Sequence, residues 1–101
     1  MGSDEEVVLS AVANLWRGAE AVGGRLTLDR TTLRFKAHAV NFQKEPLEIA
    51  LSDVGTTGRY RTLGLIPNGL LITTRSGVEY RFVVNRRDKF IKPIADLTRA
   101  V

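Results

Sequence analysis

The stretch that decides the fold reads Gly24-Arg25-Leu26-Thr27-Leu28-Asp29-Arg30-Thr31-Thr32-Leu33-Arg34-Phe35-Lys36-Ala37. On both sides of a polar centre, large apolar residues alternate with basic or hydroxyl residues, and a period of two places each set on its own face of a β-sheet. The polar centre, Asp29 to Thr32, supplies the turn. This stretch therefore predicts a β-hairpin with an apolar inner face and a largely basic outer face.

The segments around the hairpin predict further short strands. Residues 7–16 are apolar and predict a first strand, irregular near Ala11 to Asn14, with a short helix as the alternative. The Gly23-Gly24 pair is typical of a bulge, a bend or a close backbone approach. The Asn68-Gly69 pair predicts a turn. By alternation and β-branched content the later strands cover residues 47–51, 56–62, 70–74 and 80–84.

The end of the chain changes to a helical period. Apolar residues recur at the spacing of one helix face, with Asn85 as the expected N-cap and an Asp88–Lys92 pair one turn apart. Pro93 predicts a kink or a one-turn break in this helix. The stripe consists of Phe90, Ile91, Ile94, Leu97 and Val101. We therefore expect about seven antiparallel strands, curled into a small barrel whose open end is covered by a C-terminal helix.

The length and composition predict one small domain, residues 1–101. We expect residues 1–6 to be disordered. The chain has 101 residues, of which 44% are hydrophobic and 26% charged, and this length can bury a single core without disulfides. It has no cysteine, which excludes disulfides and cysteine-ligated metals. Apolar runs fall short of the ~20 residues of a membrane helix, and the acidic N-terminus is unlike a signal peptide. We expect a cytoplasmic protein.

Charge is distributed unevenly along the chain. Residues 1–53 carry six basic and eight acidic side chains, a balance of −2, whereas residues 54–101 carry nine and three, a balance of +6. A basic half indicates an anionic partner or an arginine-rich solvated surface. Nucleic acid is the less favoured partner, because base stacking needs exposed aromatic residues and the apolar pattern assigns most of them, including Trp16, to the core.

The residue types that enzymes and metal sites need are scarce. His38 is the only histidine, and it reads more simply as a polar loop residue than as a base or a metal ligand. The glycines of residues 55–59 lack the Gly-Lys-Ser/Thr ending of a phosphate-binding loop. We expect no catalytic residues, no metal and no cofactor.

Several segments, in this order, resemble the GRAM domain family of the pleckstrin-homology-like (PH-like) superfold, in a free-standing, bacterial-type form. The similarity covers roughly residues 14–94. It is carried by residues 24–28 and 33–35 for the second and third strands, by Pro46 to Val54 for the fourth strand and its exit, and by 68–70, 80–82 and 87–90 for the last hairpin and the helix start. The resemblance implies a seven-stranded, strongly bent sheet capped by a helix. It further implies binding of membrane lipid headgroups, phosphoinositides among them, or of proteins, without catalysis.

The resemblance places headgroup contacts in the loops after the first, third and sixth strands. The basic residues there are the candidate lipid-binding set: Arg17, Lys36, His38, Lys44 and Arg75. Each base near an anionic surface contributes about 1 kcal/mol, so this set predicts weak, salt-sensitive binding to anionic membrane lipids.

A second candidate segment carries apolar residues beside arginines. Such a loop can enter a membrane interface or contact a protein partner, including a second copy of the chain. The alternative, which we favour from the sequence, is that its apolar residues fold back over the open barrel end as core. The candidate interaction loop comprises Arg59, Arg61, Leu63, Leu65 and Ile66.

Overall fold

A computed structural model describes residues 7–38 and 46–99. Residues 1–6, expected to be disordered, and Lys44 and Val101 lie outside the described residues. The strands are β1 (Val7–Arg17), β2 (Glu20–Asp29), β3 (Thr32–Ala37), β4 (Leu47–Ala50), β5 (Val54–Thr62), β6 (Ile66–Thr74) and β7 (Glu79–Val84), followed by helix α1 (Asp88–Arg99). The predicted seven antiparallel strands and C-terminal helix are confirmed.

One sheet contains all seven strands, in the order β4-β3-β2-β1-β7-β6-β5. Its outermost strands, β4 and β5, are consecutive in the chain and are joined only by the 3₁₀ turn Leu51–Asp53, so the sheet has to curl into a half-barrel. This turn is fixed on both sides. The Leu51 amide donates to the Thr31 carbonyl at 2.9 Å, and the Arg75 amide donates to the Asp53 carbonyl at 2.8 Å.

The hairpin of β2 and β3 has the predicted apolar inner face and the predicted turn. Leu26 lies opposite Phe35 and Leu28 opposite Leu33, and these four side chains are buried. Asp29 is also buried. Its carboxylate tolerates burial because it accepts hydrogen bonds from the backbone amides of Thr31 and Thr32, at 2.9 and 2.7 Å. A polar turn residue thus closes the hairpin from the inside.

Gly24 marks a close backbone approach, one of the three alternatives predicted for the glycine pair. A Cβ atom there would overlap the Lys36 carbonyl oxygen and the ring of Phe35. The predicted irregularity near Ala11 is wrong, because β1 pairs regularly with β2 there and its register shift lies between Val7 and Leu9. The helical alternative for this segment is also wrong.

The core fills the inner face of the half-barrel and is closed by α1. Phe90 and Ile94 of the helix are 1% and 0% exposed, which confirms the predicted apolar stripe at these positions. The rings of Phe35 and Phe82, from opposite halves of the sheet, are 5.9 Å apart between centroids. This contact joins the two halves beneath the helix.

The helix itself differs from the prediction in three details. The helix begins at Asp88, because its first hydrogen bond between residues four apart runs from the Ile91 amide to the Arg87 carbonyl. Asn85 is therefore not the N-cap. It continues without a break through Pro93. Asp88 pairs with Arg59 of β5 at 2.9 Å, and Lys92 pairs instead with Asp96.

Candidate ligand surface at the β5–β6 turn

Four residues at the turn between β5 and β6 form an apolar tip: Leu63, Gly64, Leu65 and Ile66. The three large side chains are 82%, 76% and 48% exposed, so the expectation that they fold back as core is wrong. The reason is that β5 and β6 remain paired as far as Thr62 and Ile66. A hairpin that is paired up to its turn has no slack with which to cover the barrel end.

The backbone of the apolar tip is held in a fixed shape. Leu63 and Gly64 both have positive φ, 55° and 74°, and the amides of Gly64 and Leu65 donate to the carbonyls of Arg61 and Thr62 at 3.0 Å. Below the turn, the Thr62 hydroxyl donates to Asn68 Oδ1 at 2.6 Å. A left-handed conformation costs a residue other than glycine about 1–2 kcal/mol. Leu63 is held in this conformation while its side chain is exposed to water.

Beside the apolar tip lies a cleft of about 470 Å³, here called the tip cleft. It forms where the β1–β2 turn comes against the end of the β5–β6 hairpin and the start of β7, so three separate parts of the chain build it. Its lining residues are Trp16, Gly18, Tyr60, Arg61, Thr62, Leu63, Glu79 and Arg81.

The charge of the tip cleft is mainly positive. Arg61 and Arg81 line it, whereas the predicted residue Arg17 is exposed at the end of β1 and is not among the lining residues. The acidic group in the lining is Glu79, whose carboxylate is 3.8 Å from the Arg81 guanidinium. Both partners of this pair are more than half exposed, so the pair holds Arg81 only weakly. The tip cleft therefore offers cationic groups to an anionic ligand directly beside exposed leucines.

Tyr60 forms the floor of the tip cleft. Its hydroxyl donates to the Phe82 carbonyl at 2.9 Å, and its ring lies against Gly69, where a Cβ would come within 2.6 Å of the ring carbons. Burial raises the pKa of the Tyr60 phenol above its usual 10.0, while the Arg81 charge and a hydrogen bond from Trp16 act in the opposite direction. The phenol is therefore neutral and serves as a hydrogen-bonding group at ordinary pH.

The structure brings two members of the predicted lipid-binding set together elsewhere. Lys36 and His38 line a second cleft, of about 410 Å³, on the outer face of β2 and β3, together with Arg25 and Arg34. Arg34 is paired there with Glu48 at 2.9 Å, and Arg25 donates to the Ser10 hydroxyl at 3.1 Å.

Two further predicted residues lie apart from both clefts. The Arg75 guanidinium donates to the Ser52 carbonyl at 2.8 Å and so fastens the β4–β5 connection. Arg59 is paired with Asp88 at the start of α1. Of the predicted interaction loop, Arg61 and Leu63 line the tip cleft, and Leu65 and Ile66 extend the tip.

Sequence reasoning missed Trp16, Tyr60 and Arg81 as lining residues. Trp16 is half-buried at the tip cleft rather than part of the core. The sequence did contain a signal for the outward position of Trp16. Leu15 points inward in β1, and the next residue of a strand must point outward. The pairing of β1 with β7, which brings Arg81 near Trp16, joins segments far apart in the chain and has no such local signal.

Neither a family model nor a curated protein sequence matches the chain. Solved structures do. The C-terminal domain of an unknown protein from Leishmania infantum aligns with a TM-score of 0.79 and 12% identity over 95% of this chain and 86% of that one. The N-terminal PH domain of human ARAP2 aligns with a TM-score of 0.74 and 14% identity, over 99% and 85%.

The Slm1-PH domain, in complex with inositol-4-phosphate, aligns with a TM-score of 0.61 and 14% identity over 91% of this chain and 93% of that one. Within the described ranges no helix has the length and apolar character required to cross a membrane. The strand order, the curled antiparallel sheet and the closing helix agree with these neighbours, and the chain therefore has the pleckstrin-homology-like fold.

Proposed function

We propose that this domain is a non-catalytic binding module of the GRAM type that attaches weakly to anionic membrane surfaces from the cytoplasm. The observation that carries the proposal is the apolar tip beside the basic tip cleft. In this arrangement Leu63 and Leu65 enter the interfacial region of the bilayer, while Arg17, Arg61 and Arg81 contact lipid phosphates. The Slm1-PH complex with inositol-4-phosphate supports a phosphorylated headgroup as the ligand class.

The magnitudes favour a combined mechanism over charge alone. Three bases near an anionic surface contribute together about 3 kcal/mol, which is a weak and salt-sensitive interaction. Full burial of a leucine side chain adds about 1.5–3 kcal/mol, and Leu63 and Leu65 are almost fully exposed in the free protein. The two leucines together therefore add about 3–6 kcal/mol, at least as much as the bases, and salt does not screen this part.

The second cleft supplies an auxiliary basic surface in this proposal. Lys36 and His38 lie at the end of β3, and Lys44 follows in the same connection. They add long-range attraction to an anionic membrane without apolar contact. Arg75 contributes its charge from the β6–β7 turn.

Vesicle co-sedimentation tests the proposal. The wild-type chain is expected to bind vesicles that contain anionic lipid at low salt, and not vesicles of phosphatidylcholine alone. Leu63→Ser/Leu65→Ser removes the apolar contribution and is expected to weaken binding at least about tenfold. The matched control is Val7→Ser, which changes an exposed apolar residue at the start of β1, 56% exposed, and is expected to leave binding unchanged.

The single tryptophan offers an independent readout. Trp16 lines the tip cleft, so insertion of the neighbouring leucines moves its indole to a less polar environment. We expect its emission to shift to shorter wavelength with anionic vesicles. An unchanged emission together with absent co-sedimentation contradicts the lipid proposal and leaves the alternative, a protein partner that covers the exposed leucines of the tip.

A further inference from the structure

The N-terminal half of β1 has an edge that no described strand covers. β1 pairs with β2 along the whole of Val7–Arg17, but with β7 only over Ala13 to Leu15. Within the parts of the chain that the structure describes, β2 and β7 are its neighbours in the sheet. Residues 7–12 therefore present free backbone N–H and C=O groups to any added strand.

The sequence of this edge carries none of the usual protection. It reads Val-Val-Leu-Ser-Ala-Val, without charge, proline or glycine, and such a segment pairs readily with other strands. A register shift leaves Val8 without a partner in β2, and the regular pairing with β2 runs from Leu9 onward. Val8 and Val12 are 45% and 59% exposed, so an added strand would remove apolar surface from water.

The five residues Val8-Leu9-Ser10-Ala11-Val12 read the same in polarity in both directions, with Leu9 and Ala11 differing in size. An antiparallel two-fold axis through Ser10 places Val8 of one copy opposite Val12 of the other, and Leu9 opposite Ala11. Opposed residues then share a face, as antiparallel pairing requires. We propose that a second copy of this chain pairs with β1 along this edge, which joins two half-barrels into one continuous sheet.

The surroundings of the edge fit a second copy in shape. A cleft of about 330 Å³ separates residues 9–12 from the start of α1, with Phe90 at its base and Asn85, Arg86 and Lys89 at its rim. An added strand occupies this cleft, and its inward residues cover Leu9 and Ala11 above Phe90.

This inference is independent of the proposed function. The paired edge, residues 7–12, contains none of the residues that line the tip cleft, and Val8 and Trp16 are about 26 Å apart along the strand. The two proposals therefore use different residues and are tested separately.

Sedimentation velocity over a range of concentrations tests the proposal on the full chain. The wild type is expected to form a dimer that dissociates on dilution. Val8→Lys/Val12→Lys places like charges opposite each other twice and is expected to raise the dissociation constant at least about tenfold, whereas Val8→Lys/Val12→Glu creates two opposite-charge pairs and retains the dimer. Val78→Lys, at an exposed valine of another turn, is the control and leaves the dimer unchanged.

Disulfide trapping tests the position of the two-fold axis. Because the chain has no cysteine, Ser10→Cys introduces a single thiol that meets its own copy at the spacing a disulfide needs. Ser10→Cys is expected to form a covalent dimer under mild oxidation, and Ser52→Cys, an exposed serine of the 3₁₀ turn, is not. A wild type that stays monomeric at roughly 1 mM, a dimer indifferent to both lysines, or equal trapping of the two cysteine variants overturns the proposal.

Discussion

Gly69 and Tyr60 illustrate how a residue pair shapes the tip cleft. They lie opposite each other in β6 and β5, and the tyrosine ring occupies the space that a side chain at position 69 would need. Arg87 donates to the carbonyls of both residues, at 2.7 and 3.0 Å, which ties the helix start to this pair. The Asn68-Gly69 pair was predicted to be a turn, and that prediction is wrong, because this glycine accommodates an aromatic neighbour across the sheet.

Gly69→Ala is therefore expected to lower the free energy of unfolding by about 1–3 kcal/mol, since the new Cβ would lie 2.5 Å from the Tyr60 carbonyl oxygen and 2.6 Å from its ring carbons. Gly58→Ala is the matched control, because a Cβ at that strand position meets no atom within 4 Å. Urea denaturation of both variants measures the difference. Equal stability of the two variants would show that the ring does not need this space.

The phenol of Tyr60 provides a pH-dependent test of burial. Because its pKa is raised in the folded protein above 10.0, its contribution to stability is complete below pH 10.0 and is lost as the pH rises through the folded pKa. Wild type is therefore expected to lose stability in alkali relative to Tyr60→Phe. In Tyr80→Phe, whose only tyrosine is Tyr60, ultraviolet absorbance should show the titration above pH 10.0; ionisation at or below that pH contradicts the assignment.

A substitution at Leu63 is expected to affect stability and membrane binding in opposite directions. Glycine adopts its positive φ without strain, so Leu63→Gly is expected to keep or raise the free energy of unfolding, by up to about 1 kcal/mol. The same change removes an apolar side chain from the tip and should weaken vesicle binding. Thermal denaturation and co-sedimentation on one sample check both halves, and a variant that binds as well as wild type would show that Leu63 does not contact the bilayer.

The elements with a strong local pattern were predicted well from the sequence. The β2–β3 hairpin forms with the expected apolar face and turn, because alternation is strict there and Asp29 closes the turn. Helix α1 was predicted as an element but not in its details. Pro93 has no amide to donate and would be expected to break a helix, yet packing of Phe90 and Ile94 on the core, on either side of it, holds α1 continuous.

Pro93→Ala restores the missing amide donor within α1. We expect it to raise the free energy of unfolding by about 1–3 kcal/mol, because a proline in a helix interior costs about 3 kcal/mol and part of this is offset by its rigidity when unfolded. Pro67→Ala, at an exposed position of β6, is the control and should stay within about 0.5 kcal/mol. Circular dichroism and urea denaturation measure the effect, and a destabilised Pro93→Ala would indicate that the proline ring itself packs on the core.

At the scale of the molecule, the candidate site is a product of curling rather than of any segment. Gly18 of the β1–β2 turn and Leu63 of the apolar tip line one cleft of the curled sheet. The sequence could therefore nominate Arg61 and Leu63, but not the residues of distant strands that line the cleft with them. It could not place Arg81 either, because the register of β7 against β1 and β6 is set by nonlocal packing.

Binding of the wild-type chain and of Leu63→Ser/Leu65→Ser to anionic vesicles, at low and at physiological salt, tests the central claim most directly. We predict that wild type sediments with the vesicles, retains a fraction of its binding as salt rises, and shifts its Trp16 emission. The double variant should bind only at low salt. Equal binding of the two proteins at both salt concentrations, or no binding of wild type at low salt, would contradict the account.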